Sequence, residues 1–422
     1  MSSYVDATAS AAEHCESMSA LHPDLAEQYT SISSLLTKKL YHQLTVTIME
    51  FVNSPTKTLR TTAEGGNSYL ALYDRVALSV NKKLNQLSLA RIASSVADSL
   101  LHGAGEEDGV AAKAVLENLL THKSRLGPPA TLFAESKLAL LGLSLIEKGS
   151  SAVDGPKHLE STKDMLKRNA GALNEMADGA GDAALGSESD AALVHAAHYE
   201  CAMVYRKAVG PPEAYYREAV QFLHYTPLDS LEAEERVILA TDLSMAALTG
   251  EGVYNFAEVV LNPILRCLDG TSGEWLIKLM EASASGDVSA FKAVSTEHAA
   301  DIAAQPALTG RADAVKEKIT LLALVNMVFE RPSSERTLSF EDIAGRTEVT
   351  ADAVELVIMR ALSLGLIKGS MDQVDGTVDV TWVMPRVLDN AQLQDLAGRF
   401  GEWAVTVSKT KDVVAEQTPT FA

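Results

Sequence analysis

Apolar residues recur at intervals of three and four along most of the chain, which is the periodicity of a helix with one buried face. One such run near the start consists of Leu36, Leu40, Leu44, Ile48 and Phe51. Similar runs predict helices over residues 67–83, 110–122, 132–146 and 158–175. Because each apolar stripe needs a partner helix, the pattern predicts stacked helices over residues 31–310, while residues 1–30 are predicted to be a flexible tail.

Turns and helix caps divide this stack into hairpins. The turn Gly210-Pro211-Pro212 joins predicted helices over residues 191–208 and 213–224. Ser88 is expected to cap one helix, and Asp229 with Glu232 is expected to cap another. Loops are predicted at residues 103–109, 149–155 and 178–190. Hairpins of roughly 35–40 residues without a strict consensus indicate a divergent, TPR-like α-solenoid.

The pattern changes after Arg311. A helix over residues 312–329 is followed by a short strand and two more helices, the second capped by Thr350. Two further strands flank the turn-rich residues 372–376 and predict a β-hairpin. The order helix, strand, helix, helix, hairpin predicts a winged-helix domain over residues 311–388.

The last helix, predicted over residues 389–410, carries a regular apolar stripe, and residues 411–422 are predicted to be a flexible tail. The stripe consists of Leu393, Leu396, Phe400, Trp403 and Val407, at spacings of 3, 4, 3 and 4. A period of 3.5 is typical of helices that bundle with other helices. These five residues are therefore predicted to form a protein interface, although the helix could instead fold back onto its own winged helix.

Composition favours an all-α dominated fold, because hydrophobic residues make up 47% of the chain and aromatic residues only 5%. The net charge of −20 disfavours nucleic acid and anionic membranes as partners. Three scattered cysteines are typical of a reducing compartment, such as cytoplasm or nucleus. The apolar stretch at 138–146 is too short to span a membrane, and the first twenty residues lack the features of a signal peptide.

The sequence offers no recognisable catalytic motif: the zinc-protease, phosphate-loop and hydrolase-elbow patterns are absent. The densest group of potential metal ligands is His195, His198, Glu200 and Cys201. This group lies within an apolar helical hairpin, which favours a packing role over a metal site. We therefore predict a protein without enzymatic activity, cofactor or metal.

A winged helix can also bind DNA through its third helix. Residues 336–386 carry five basic and eight acidic side chains, and the third helix offers Arg360 beside Asp352 and Glu355. Because phosphate contacts need Lys or Arg, this charge pattern favours protein packing over DNA binding. DNA binding remains the less favoured alternative.

Several stretches resemble the PCI family of scaffold proteins, and in particular one subunit of the proteasome lid. They are LTKKLYHQLT at 36–45, NQLSL at 85–89, GEGVYNF at 250–256, LSFEDIA at 338–344, LGLIKGS at 364–370 and VTWVMPRVLD at 380–389. The resemblance spans nearly the whole chain, apart from the N-terminal tail and the loops near 103–110 and 177–190.

The resemblance implies a structural subunit of the 19S regulatory particle, acting in ubiquitin-dependent proteolysis in cytoplasm and nucleus. It implies contacts with other lid subunits, of the PCI and MPN families, through the winged helix and the C-terminal helix. A subunit of another PCI complex, the signalosome or a translation initiation complex, is the alternative within the same family.

Overall fold

The structure is a computed structural model and describes residues 2–53, 67–101, 106–149, 153–180, 188–331, 336–385 and 390–417. Two compact units divide the chain, Met1–Pro227 and Leu228–Ala422, here called unit 1 and unit 2. Helices dominate both units, so the predicted all-α fold class, with a helical-repeat region before a small sheet, is confirmed. The predicted residue limits of the domains stay predictions, and the division between the units falls earlier than residue 311.

The described residues of unit 1 form ten α-helices. They are α1 (Ser2–Leu21), α2 (Ala26–Thr37), α3 (Tyr41–Val52), α4 (Ser68–Leu72), α5 (Gln86–Leu101), α6 (Glu106–Leu120), α7 (Lys123–Glu147), α8 (Gly155–Ala180), α9 (Glu188–Val209) and α10 (Pro212–Tyr225). Neighbouring helices pack in pairs, and the predicted hairpin of α9 and α10 is confirmed. Its turn contains Gly210 at a φ of 76°, a left-handed conformation that favours glycine.

Most of residues 2–30 are helical where a flexible tail is predicted. Within α1, Ala11, Cys15 and Met18 are buried, and Tyr29 of α2 is fully buried beside Phe51. The prediction of a flexible tail is wrong for this segment. The helix was not recognised from the sequence because the buried positions of α1 hold small or weakly apolar residues. At spacings of four and three, they still line one helix face.

Two of the predicted loops are shorter than expected. Helix α6 already begins at Glu106, and α8 continues to Ala180 while α9 starts at Glu188. Residues 102–105, 150–152 and 181–187 lie outside the described residues. Acidic residues at 106–108 favour the first turn of a helix, which accounts for the early start of α6.

Helix α7 is long and apolar enough to cross a membrane, and it is the one described helix with these properties. Gly127, at a φ of 75° and ψ of 168°, interrupts it before Pro128 and Pro129. In the most apolar window of this helix, 56% of the residues are buried inside the protein, and Leu141 and Leu145 belong to the main core of unit 1. The apolar character of α7 is therefore accounted for by the core.

Unit 2 begins with a group of helices and ends with a winged helix and one long helix. Its helices are α11 (Ala233–Thr249), α12 (Ala257–Val260), α13 (Glu274–Ser285), α14 (Val288–Glu297), α15 (Ala299–Ala303), α16 (Pro306–Thr309), α17 (Ala312–Glu330), α18 (Phe340–Thr347), α19 (Ala351–Ser363) and α20 (Asn390–Gln417). Its strands are β1 (Thr337–Ser339), β2 (Ile367–Asp372) and β3 (Thr377–Val383).

The predicted winged helix is present in unit 2. Its three strands form an antiparallel sheet in the order β1-β3-β2, with Leu338 opposite Val378 and Ile367 opposite Val383. The side chains of Ile343 and Ile358 are fully buried against this sheet and α17. The predicted order helix, strand, helix, helix, hairpin agrees with the observed one.

Helix α20 extends from Asn390 to Gln417, so it continues through most of the predicted tail at 411–422. Val413 and Val414 lie in this extension, and neither proline nor glycine interrupts it before Gln417. Asp389, the predicted first residue of this helix, lies outside the described residues.

Candidate interaction helix

The five residues predicted to form an interface lie on one face of α20. The helix has 28 residues and is therefore about 42 Å long. The exposed fractions are 48% for Leu393, 37% for Leu396, 60% for Phe400, 66% for Trp403 and 48% for Val407. The structure thus brings the five residues into one exposed stripe, here called the seam.

On one side of the seam, the first two flanking positions hold small residues. In heptad letters, Leu393, Phe400 and Val407 occupy position a, and Leu396 and Trp403 occupy position d. Position e is filled by Ala397 and Ala404, both exposed. A face of a, d and e positions is wider than the a/d face of a paired coiled coil and suits a helix with more than one neighbour.

The third helix of the winged helix, α19, exposes a second apolar patch that the sequence analysis missed. Leu356 is 64% exposed and Met359 is 45% exposed, while Val354 and Ile358 on the opposite side are buried. Apolar residues occur all around this helix, so periodicity identified its inner face without distinguishing the outer one. Helix α19 contains more apolar residues than one buried face requires, and this excess was the signal in the sequence for an exposed apolar patch.

Two charged residues of α19 are engaged within unit 2. The guanidinium Nε of Arg360 donates to Oε1 of Glu317 at 2.9 Å, and Glu355 accepts a hydrogen bond from Gln373 at 3.0 Å. An outer face with Leu356 and Met359 and a paired arginine suits contact with protein better than contact with phosphate.

The wing exposes two further apolar groups. Trp382 is 37% exposed and lies under the Nζ of Lys368, which is 4.9 Å from the ring centroid. Val374, in the turn between β2 and β3, is 95% exposed. These groups add apolar surface to the winged helix.

The histidine cluster of α9 packs against other side chains. His195 stacks on Tyr225 with ring centroids 4.7 Å apart, and Glu200 forms an ion pair with Lys137 at 2.7 Å. Burial, together with the nearby His195, lowers the pKa of His198 to about 4. Burial also raises the pKa of Cys201 to about 12, which disfavours the thiolate that a metal would bind. Among the residues that the structure describes, no group of three or more His, Cys, Asp or Glu residues is arranged so that it could hold a metal ion.

An open groove of about 670 Å³ in unit 1 is lined by α6, α7 and α8, and several of its charged groups form ion pairs with one another. Glu135 accepts hydrogen bonds from Lys123 and from Arg168, the latter at 3.0 Å. Burial alone would raise the pKa of Glu135, but these two cations lower it below its ordinary value. A carboxylate fixed in this way is a structural ion, not a general acid or base.

Known proteins match both parts of the chain. Residues 28–280 match the family described as PSD13 N-terminal repeats, and residues 296–382 match the PCI domain. A 26S proteasome non-ATPase regulatory subunit 13 homolog B of Arabidopsis thaliana is 33% identical, covering 97% of this chain and 98% of its own. The 26S proteasome non-ATPase regulatory subunit 13 of Dictyostelium discoideum is 29% identical over 96% of this chain and 97% of its own.

A third relative is the probable 26S proteasome regulatory subunit rpn9 of Schizosaccharomyces pombe, 29% identical over 92% of both chains. The repeat family alone matches more than half of the chain, and the three relatives align with nearly all of it. The chain therefore belongs to the family of the 26S proteasome non-ATPase regulatory subunit 13.

Proposed function

We propose that this chain is a non-catalytic scaffold subunit of the lid of the 26S proteasome regulatory particle. In this role it supports assembly of the particle and thereby ubiquitin-dependent protein degradation. The proposal is supported by relatives that carry proteasome regulatory names over almost their full length. It is also supported by a fold that offers helix faces for contact with other proteins.

The exposed seam of α20 is the observation that carries this proposal. Burying one large apolar side chain stabilises a protein or complex by about 1.5–3 kcal/mol. The two aromatic and three aliphatic side chains of the seam are each at least 37% exposed. The isolated chain therefore lacks much of the stabilisation that their burial would provide. Contact with helices of other subunits would recover it, which makes α20 the anchor of the scaffold.

The partners in this proposal are other lid subunits of the PCI and MPN families. The winged helix would contribute the outer face of α19, with Leu356 and Met359, and α20 would contribute the seam. Such a subunit needs no enzymatic activity and no cofactor, and binds neither nucleic acid nor membrane. It would act in cytoplasm and nucleus, together with the particle.

The test is co-sedimentation of an epitope-tagged full-length chain with proteasome peptidase activity in a glycerol gradient. We expect the tagged chain to co-sediment with that activity, and a chain lacking residues 392–422 to remain in light fractions as a helical protein. The helicity of the shortened chain is checked by circular dichroism. Sedimentation of the full-length chain with the signalosome or with translation initiation subunits, and not with peptidase activity, would contradict the proposal.

A further inference from the structure

The charged residues that flank the seam of α20 differ in sign from the chain as a whole. Of its seam-flanking positions e and g, two are charged, and both carry cations: Arg399 at g and Lys411 at e. Both side chains are exposed. Residues at e and g border the contact between bundled helices, so these two cations would face a partner.

The acidic residues of α20 occupy heptad positions away from the seam. Glu402 occupies position c and Asp412 position f, and both are exposed. By sequence spacing alone, Asp395 and Glu416 also fall at position c. A chain with a net charge of −20 thus borders its exposed apolar seam with cations only.

A second copy of the chain would not complement this border. In a parallel pair, position g of one helix faces position e of the other, and in an antiparallel pair like positions face each other. Because both charged flanks are cationic, neither arrangement forms an ion pair between Arg399 and Lys411 of two copies. A helix with Asp or Glu at its flanks would pair with both.

We propose that α20 selects partner helices that carry acidic residues beside their apolar seams. This inference rests on the proposed function and adds the chemistry of the partner. Arg399 and Lys411 would set which helices are accepted, while the seam supplies most of the affinity.

The probes for this proposal are two synthetic peptides of four heptads, with leucine at a and d. One carries glutamate and the other lysine at every e and g position, so each repels its own copies. Fluorescence anisotropy at about 0.15 M salt measures binding of each peptide to the full-length chain. We expect the glutamate peptide to bind about tenfold more tightly than the lysine peptide. The net charge of the chain alone would give the opposite preference.

The double variant Arg399→Glu/Lys411→Glu should reverse this preference. Lys409→Glu is the matched control, because Lys409 lies at position c, is exposed, and belongs to the same helix. The control should retain the preference for the glutamate peptide. Equal binding of the two peptides, a preference of the wild-type chain for lysine, or a control that changes as much as the double variant would overturn the inference.

The two proposals fail in different ways. A full-length chain that co-sediments with the proteasome but does not discriminate between the peptides refutes the charge selection and leaves the scaffold role intact. A chain that discriminates between the peptides but never co-sediments with the proteasome refutes the scaffold role.

Discussion

Lys318 places a charged amine inside unit 2, where its residue is 6% exposed. Its Nζ donates to the carbonyl oxygens of Ala247 at 2.6 Å and Gly250 at 2.7 Å, at the C-terminal end of α11. Arg311 donates to the carbonyl of Thr249 at 3.0 Å. The last carbonyls of a helix lack partners within it and carry partial negative charge, so Lys318 of α17 and Arg311 just before α17 together cap α11.

Replacing Lys318 with methionine should destabilise unit 2 by about 2–3 kcal/mol, since the variant leaves buried carbonyls without donors. The expected drop in melting temperature is roughly 5–10 °C, measured by differential scanning calorimetry. Lys316→Met is the control, because Lys316 lies on the exposed side of the same helix. If the two variants melted at the same temperature, the capping role of Lys318 would be refuted.

Helix caps also show how far single residues could be predicted from sequence. Ser88 is not the cap of α5. Asn85, three residues before Ser88, caps the helix instead, because its side chain accepts a hydrogen bond from the backbone N–H of Leu87 at 2.9 Å. The predicted cap at Asp229 lies in a short 3-10 turn, and the N–H of Glu232 donates to Glu235 at 3.2 Å at the start of α11. Several residues in a short polar stretch can cap a helix, and packing selects one of them.

At the scale of elements, α7 and α8 approach closely at Gly142. A Cβ atom on Gly142 would lie 2.2 Å from Nε2 of His158. That Nε2 lies 3.1 Å from the carbonyl oxygen of Ala139. Glycine therefore allows His158 to pack across α7, although glycine within a helix is otherwise unfavourable.

Gly142→Ala should lower the melting temperature of unit 1, because the new methyl group displaces His158. Combining it with His158→Ala should restore part of the loss, since the clash then disappears. Gly171→Ala is the matched control: Gly171 lies in α8 with nothing near its Cβ position, and alanine there should stabilise the helix by about 0.5–1 kcal/mol. Thermal unfolding that shows no rescue in the double variant would refute this account of the contact.

Most elements with regular apolar stripes could be predicted from the sequence, whereas elements with irregular stripes could not. The winged helix and the hairpin of α9 and α10 were predicted from spacing and turns. The predicted helix over residues 67–83 is instead broken after Leu72, where a π-turn and a 3-10 turn follow. Apolar spacing describes which residues are buried but not how tightly the backbone winds between them. The exposed Leu356 and Met359 were missed because periodicity identifies only the buried face.

At the scale of the whole molecule, the outer surface combines strong negative charge with a few apolar faces. A net charge of −20 favours solubility and disfavours indiscriminate association. The seam of α20 and the outer face of α19 are both exposed in unit 2. Large exposed apolar patches on a folded chain mark contact sites for other proteins. The proposed scaffold role therefore depends on whether the seam holds the chain in its assembly.

The most direct measurement replaces the cellular copy with Phe400→Ala/Trp403→Ala and quantifies its amount in purified 26S proteasomes by mass spectrometry. Truncating a buried aromatic residue at an interface weakens binding by about 2–4 kcal/mol, so incorporation should fall below roughly one tenth of the wild-type level. Val405→Ala is the control, because Val405 is 54% exposed on the side of α20 away from the seam. We expect normal incorporation of the control, whereas normal incorporation of the double variant would contradict the account.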